Sequence, residues 1–230
     1  MARDVERHFG VVCNELIRAE YDLSVVYDIG ANDGRWTAGH GRRICPGAHF
    51  YQFEANLKCT LRHKGSDITR FIEVLSDTDG KEVKFYEADL FSTENTGYSY
   101  YQENSPGYEQ GKYTTYKTKK LDTFVAEKNL PTPNIVKMDT QGSEVDILRG
   151  GAETLSKAYA IHCEVPIVEY NKGAPGFSEY LSEFRKLGFL PTGVEHIAIR
   201  NGVVSQMDVT FMKATIIQKI WKYKQRYTEL

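Results

Sequence analysis

A chain of 230 residues with 41% hydrophobic and 26% charged side chains has the balance of a folded globular protein and excludes a disordered one. Its 29 Lys and Arg against 31 Asp and Glu leave a net charge of −2, which disfavours a nucleic-acid binder running on a large basic excess. No run approaches the ~18 apolar residues of a membrane helix, and the opening MARDVERHFG lacks a secretion-signal pattern. The four cysteines (Cys13, Cys45, Cys59, Cys163) show no metal-binding spacing, so a cytoplasmic protein with reduced thiols is expected.

In chain order, Val5, Phe9, Val12, Cys13, Leu16 and Ile17 recur at helical spacing and predict an N-terminal helix within 1–22. Residues 23–30 form an apolar run halted by Gly30, the pattern of a buried parallel strand. Similar runs at 48–53, 69–75, 135–138 and 160–165 predict further strands, with helix-compatible stretches at 35–44, 56–65, 143–157 and 177–187. Such alternation predicts an α/β fold with a mostly parallel sheet, as one domain over 1–230. Asn201-Gly202 between short apolar runs predicts a hairpin, and 208–212 a closing strand, which together give the sheet an antiparallel end.

Two stretches stand outside that scheme. Residues 84–118 hold seven of the fifteen tyrosines and predict a hairpin with a long loop inserted after the third strand. Its Tyr98 and Tyr100 are candidate platforms for a sugar ring or other bulky acceptor, or else pack locally, since aromatics favour strands. Residues 213–230 interleave Lys213, Lys219, Lys222, Lys224 and Arg226 with Ile216, Ile217, Ile220, Trp221 and Tyr227, a basic amphipathic helix. It is either simply solvated or suited to a membrane surface or a polyanionic substrate.

Asp28-Ile29-Gly30-Ala31-Asn32-Asp33-Gly34 lies between a predicted strand and a predicted helix, where glycines let the backbone approach a ligand. A dinucleotide fingerprint would place a pyrophosphate there, but Asp28 and Asp33 bracket the loop and would repel it. S-adenosylmethionine, with an ammonium and a sulfonium and no phosphate, suits them better. Gly30, Asn32 and Gly34 are the turn residues of this cofactor site, and Glu54, twenty residues beyond Gly34, is placed to accept from ribose hydroxyls.

DIGANDG, FEAN, VLSDTDG, IVKMDTQGSEVDILRGGAETL and HCEV, in that order over about 24–212, resemble the FkbM-type S-adenosylmethionine-dependent O-methyltransferases. The most specific block runs from Lys137 to Glu144 and on through Ala152. The resemblance implies a Rossmann-like class I methyltransferase fold with seven strands and methyl transfer to a hydroxyl of a sugar or natural product. It also implies that Ser76 and Asp77, after the third strand, flank the adenine.

Methyl transfer to an alcohol is an in-line displacement that needs positioning and a destination for the proton. Asp139 and Glu164 end the fourth and fifth predicted strands and should share one crevice. Glu144 is a third candidate acid, or else a helix N-terminal carboxylate facing the macrodipole. Gln141, in the same turn, and His196, near the final hairpin, are candidate acceptor contacts. His162 alternates with Glu164, as a base or as a core histidine. Two converging carboxylates would also suit Mg²⁺, which is not favoured because no third ligand is evident, so the metal stays unassigned. Two other classes remain: an RNA ribose 2′-O-methyltransferase, in which Asp139 and Glu164 fill half of a Lys-Asp-Lys-Glu set, and a non-catalytic module on this scaffold.

Overall fold

The computed structural model describes residues 8–57, 59, 63–86, 97–104 and 112–222. At its centre are strand β1 (Val25–Ile29) and strand β8 (Ile135–Met138), paired in parallel, with Asp28 opposite Lys137. Their β-branched and aromatic side chains are buried on both faces, as a central parallel strand requires. β2 (His49–Glu54) and β3 (Ile68–Ile72) extend the sheet on one side. β9 (Ala160–Pro166), β11 (Val203–Lys213) and β10 (Phe189–Arg200) extend it on the other. The order β10-β11-β9-β8-β1-β2-β3 makes seven strands, with β11 antiparallel to both neighbours. The mostly parallel sheet with an antiparallel end is therefore as expected.

The sheet separates two apolar layers. Tyr27, Ile29, Phe53, Val136, Met138, Ile161 and Cys163 face one, where helices α3 (Leu121–Lys128), α4 (Glu144–Gly150), α5 (Ala152–Leu155) and α6 (Phe177–Lys186) pack. Val26, Phe50, Ile135 and Ala160 face the other, covered by helix α1 (His8–Arg18) through Phe9, Val12, Cys13 and Leu16. Helix α7 (Ala214–Lys222) joins that second layer through buried Ile216, with Ile217 and Ile220 against it. The apolar side of α7 is thus used inside the protein at Ile216, Ile217 and Ile220; 223–230 lie outside the described residues.

Several sequence expectations are corrected. The run 69–75 is not one strand: β3 stops at Ile72, and β4 (Leu75–Ser76) pairs instead with β7 (Lys119–Lys120). None of the described residues in 56–65 is helical; the Asn56 N–H binds the Glu54 carboxylate and turns the chain there. The helix of 143–157 is broken into α4 and α5 at Gly151. A Cβ on Gly150 would lie 2.0 Å from the Ser76 carbonyl oxygen, so glycine is required for α4 to pack on β4. Residues 35–44 are helical, but with a π turn at Thr37–Gly41 before the short α2 (Arg42–Ile44). In the tyrosine-rich stretch, β5 (Glu82–Tyr86) and β6 (Tyr113–Lys117) form the expected antiparallel pair. Asn201 and Gly202, both at positive φ, make the turn between β10 and β11.

Candidate active site

At the carboxyl ends of β1, β2 and β8 lies an open cleft. Its floor is built by close approach of two turns. Gly30, at φ 78°, stands where a Cβ would fall 1.8 Å from the Asp139 carbonyl oxygen, so only glycine lets β1 and β8 end side by side. Asn32 follows, also left-handed at φ 48°, and its N–H donates to Glu54 Oε2 at 2.6 Å. Glu54 Oε1 accepts from the Asn56 N–H at 2.8 Å. Burial pushes the Glu54 carboxyl upward, and these two N–H groups oppose the shift.

Of the residues assigned to the cofactor from sequence, Gly30, Asn32 and Glu54 line the cleft. Asp28 and Asp33 do not, and their carboxylates are turned elsewhere. Asp28 is fully buried beneath the turn, accepting from Thr37 Oγ1 at 2.7 Å, with Lys137 Nζ 3.6 Å from its other oxygen. Asp33 binds the Arg35 guanidinium at 3.0 and 3.1 Å and the Arg35 N–H at 3.1 Å. Gly34, at φ 85°, shapes the turn without lining the cleft. The charge argument moves to other residues: Glu54, Glu73 and Asp139 line the cleft, and no Lys or Arg does among the described residues. Glu73 and Val74 were not foreseen, although the end of a parallel strand is where ligand contacts fall. Leu75 lines the cleft, whereas Ser76 is buried behind it and Asp77 lies outside the lining.

The tyrosine-rich stretch closes one side through Tyr98 and Tyr100. Tyr100 donates to Asp146 Oδ2 at 2.9 Å, with its oxygen 3.2 Å from Ser76 Oγ, and Tyr101 donates to the same Asp146 oxygen at 2.8 Å. Asn171 Nδ2 donates to the Tyr101 carbonyl. The described part of this stretch is therefore anchored to α4 and to the segment after β9. Tyr108 lies outside the described residues.

The acceptor side is organised by Gln141, a left-handed residue at φ 58° whose amide Nε2 donates to Asp139 at 3.0 Å and to Glu164 at 2.9 Å. The two strand-end carboxylates therefore meet on one amide, and Gln206 binds the second Glu164 oxygen. Asp139 and Gln141 line the cleft; Glu164 stands directly behind Gln141. The two acids are driven apart electrostatically. Burial would raise Asp139, but Lys137, 3.3 Å away, and the Gln141 amide outweigh it and hold it below its ordinary value. Burial, reinforced by Asp139, Glu144 and Asp208, holds Glu164 well above its own. Their surroundings therefore shift the two adjacent carboxyls in opposite directions, the pattern by which an environment separates an acid from a base.

The sequence motif alone gives Lys137 no role. It is a lysine in an otherwise apolar strand, its ammonium among Asp28, Asp139 and the Gly30 carbonyl at 3.1 Å. Glu144, 1% exposed and outside the cleft lining, accepts from the Thr140 and Gly142 N–H groups and from Tyr180 Oη, and so organises the turn. His162 is a buried histidine stacked on Phe9, and His196 lies 3.2 Å from Asp208 outside the cleft lining.

Residues 28–191 match the family model of the methyltransferase FkbM domain. Over 194 residues the chain is 28% identical to 2-O-methyltransferase NoeI of Sinorhizobium fredii, spanning 77% of this chain and 79% of the relative. It is similar to the crystal structure of methyltransferase FkbM from Methylobacillus flagellatus KT, with TM-score 0.49 and 15% identity, covering 82% of this chain and 44% of that one. It is also similar to magnesium protoporphyrin IX methyltransferase from Synechocystis PCC 6803, with TM-score 0.49 and 10% identity, covering 89% and 77%. With the family model matched across most of its length, the chain belongs to the FkbM methyltransferase family.

Proposed function

We propose that this methyltransferase, acting as one domain, moves a methyl group from S-adenosylmethionine to a hydroxyl of a sugar, glycan or small natural product. The observation that carries the proposal is Asp139, bridged through Gln141 to Glu164, at the edge of a cleft lined among the described residues by three carboxylates and no basic side chain. Such a cleft repels a pyrophosphate and favours a sulfonium and an ammonium. Glu54 takes the ribose hydroxyls, Gly30 and Asn32 the methionine moiety, and Val74, Leu75 and Ile147 the adenine. Tyr98 and Tyr100 offer flat faces to the acceptor.

When bound, S-adenosylmethionine would supply an electrophilic methyl group and would leave as S-adenosylhomocysteine once the acceptor oxygen takes that group; the cleft would align the acceptor hydroxyl with it, and Asp139 would take the hydroxyl proton. Because Lys137 keeps Asp139 a weak base, most of the acceleration comes from alignment, with proton acceptance adding to it. The O-methyltransferase name of the relative supports an oxygen acceptor, and the four free cysteines suit a reducing cytoplasm. The test is methyl transfer from labelled S-adenosylmethionine to a panel of hydroxylated sugars and glycans. Asp139→Asn is expected to lose about 10²–10⁴-fold in turnover while keeping its affinity for S-adenosylhomocysteine. Full turnover in Asp139→Asn on a true acceptor would refute its role.

A further inference from the structure

The antiparallel end of the sheet carries a second polar cluster that methyl transfer does not use. Strand register sets Thr210 opposite His162, and Asp208 opposite both Glu164 and Glu195. A register shift in β10 between Glu195 and Ala198, with His196 at φ 48°, adds a bulge that turns this part of the strand toward Asp208. Bulges re-aim side chains in this way. His162 Nε2 then lies 3.4 Å from Glu195 Oε1 and 3.6 Å from Asp208 Oδ2, and the three ligand atoms all fall within 4.8 Å of one another.

These separations are too long for hydrogen bonds, which run at about 2.7–3.2 Å. They fit ligands sharing one ion: two donors each about 2.1 Å from a tetrahedral metal stand about 3.4 Å apart. The histidine is prepared for that role. Its ring is clamped by Phe9, stacked at 4.6 Å, and its Nδ1 is 3.1 Å from Thr210 Oγ1. That contact is the outer hydrogen bond that orients a metal-bound imidazole, and it leaves Nε2 as the atom presented. Glu195 Oε2 is buried with no hydrogen-bond partner. Among the described residues, the ion pairs of Glu195 and Asp208 run only to His162 and His196. Two carboxylates and an imidazole nitrogen converging within 4.8 Å form a set of donors that one cation would satisfy.

We propose that His162, Glu195 and Asp208 bind a divalent transition metal of the Zn²⁺ or Mn²⁺ class. His196, whose Nδ1 is 3.2 Å from Asp208 Oδ2, is available as a fourth ligand from the solvent side. Imidazole nitrogen with carboxylate oxygen suits these ions better than the all-oxygen shells of Ca²⁺ and Mg²⁺. The ion would tie β9, β10 and β11 together under α1 and neutralise Asp208 beside Glu164.

The test uses the full chain stripped with chelator and titrated with Mn²⁺, followed by the paramagnetic resonance of the free ion, and with Zn²⁺ by calorimetry. One equivalent of metal is expected to bind, with a rise in melting temperature of about 5–10 °C at a hundredfold excess of free ion over Kd. Glu195→Gln and Asp208→Asn should each weaken Mn²⁺ binding at least tenfold while melting, metal-free, no lower than the wild type. The Asp208 variant carries the test if the Glu195 variant does not fold. Absence of Mn²⁺ binding would overturn the proposal, as would variants that bind like the wild type, because the cation between the carboxylates would then be the His162 imidazolium.

Discussion

Lys137 is where fold and chemistry depend on one charge, and Lys137→Met is the perturbation that exposes this. Its Nζ is 3.6 Å from Asp28 and 3.3 Å from Asp139. With an effective dielectric of about 20, each attraction is of order 5 kcal/mol before desolvation. Asp139 is 40% exposed, so water screens its share, and the fully buried Asp28 carries most of the loss. Leaving a buried carboxylate without its partner costs about 3–5 kcal/mol. For a chain of this size that is a drop of about 6–20 °C in melting temperature. Removing the cation also removes the Lys137 attraction that holds Asp139 low, so the limb of the pH–rate profile that rises with pH moves to higher pH. Thermal melting and a pH–rate profile are the assays. Adding Asp28→Asn to Lys137→Met should restore much of the lost stability, because the orphaned charge is gone. A single variant melting within about 2 °C of the wild type, or a double variant no better than the single, would refute this reasoning.

Glu164→Gln should melt higher than the wild type at pH 8. The folded protein binds the Glu164 proton more tightly than the unfolded chain, so wild-type stability falls as pH rises above the ordinary 4.5 toward the raised folded value. Each unit of elevation is worth about 1.4 kcal/mol, and the gap between variant and wild type should close near pH 4; a gap that persists there would contradict the assignment. Gly150→Ala drives a Cβ to within 2.0 Å of the Ser76 carbonyl and should cost at least about 1–3 kcal/mol in chemical denaturation, whereas Gly47→Ala, with open space at its Cβ, should lose only what its φ of 81° imposes.

Local pattern determined what proved legible in the sequence. β8 occupies the predicted 135–138 because four buried residues between a turn and an aspartate read the same way alone or in the fold. α6 and the Asn201-Gly202 turn were legible for the same reason, amphipathic spacing in one case and turn chemistry in the other. Long-range contacts decided the rest. β3 and β4 separate because β4 finds its partner at Lys119, far along the chain. Gly150-Gly151 breaks a helix that propensity would continue, because α4 must approach the Ser76 backbone. The cofactor loop was recognisable from its glycines, but the direction of its acids was not: Asp33 is taken by Arg35, two residues away, and Asp28 by Lys137, across the sheet. Convergence of Asp139 and Glu164 followed from their strand-end positions, while the Gln141 amide joining them emerged only in three dimensions.

The most direct measurement of the central claim is calorimetric titration of the purified chain with S-adenosylhomocysteine, with NAD as the control. A cleft lined by Glu54, Glu73 and Asp139, with no basic residue among the described ones, predicts micromolar binding of the first and none of the second. Binding of NAD, or of neither ligand, would contradict the account.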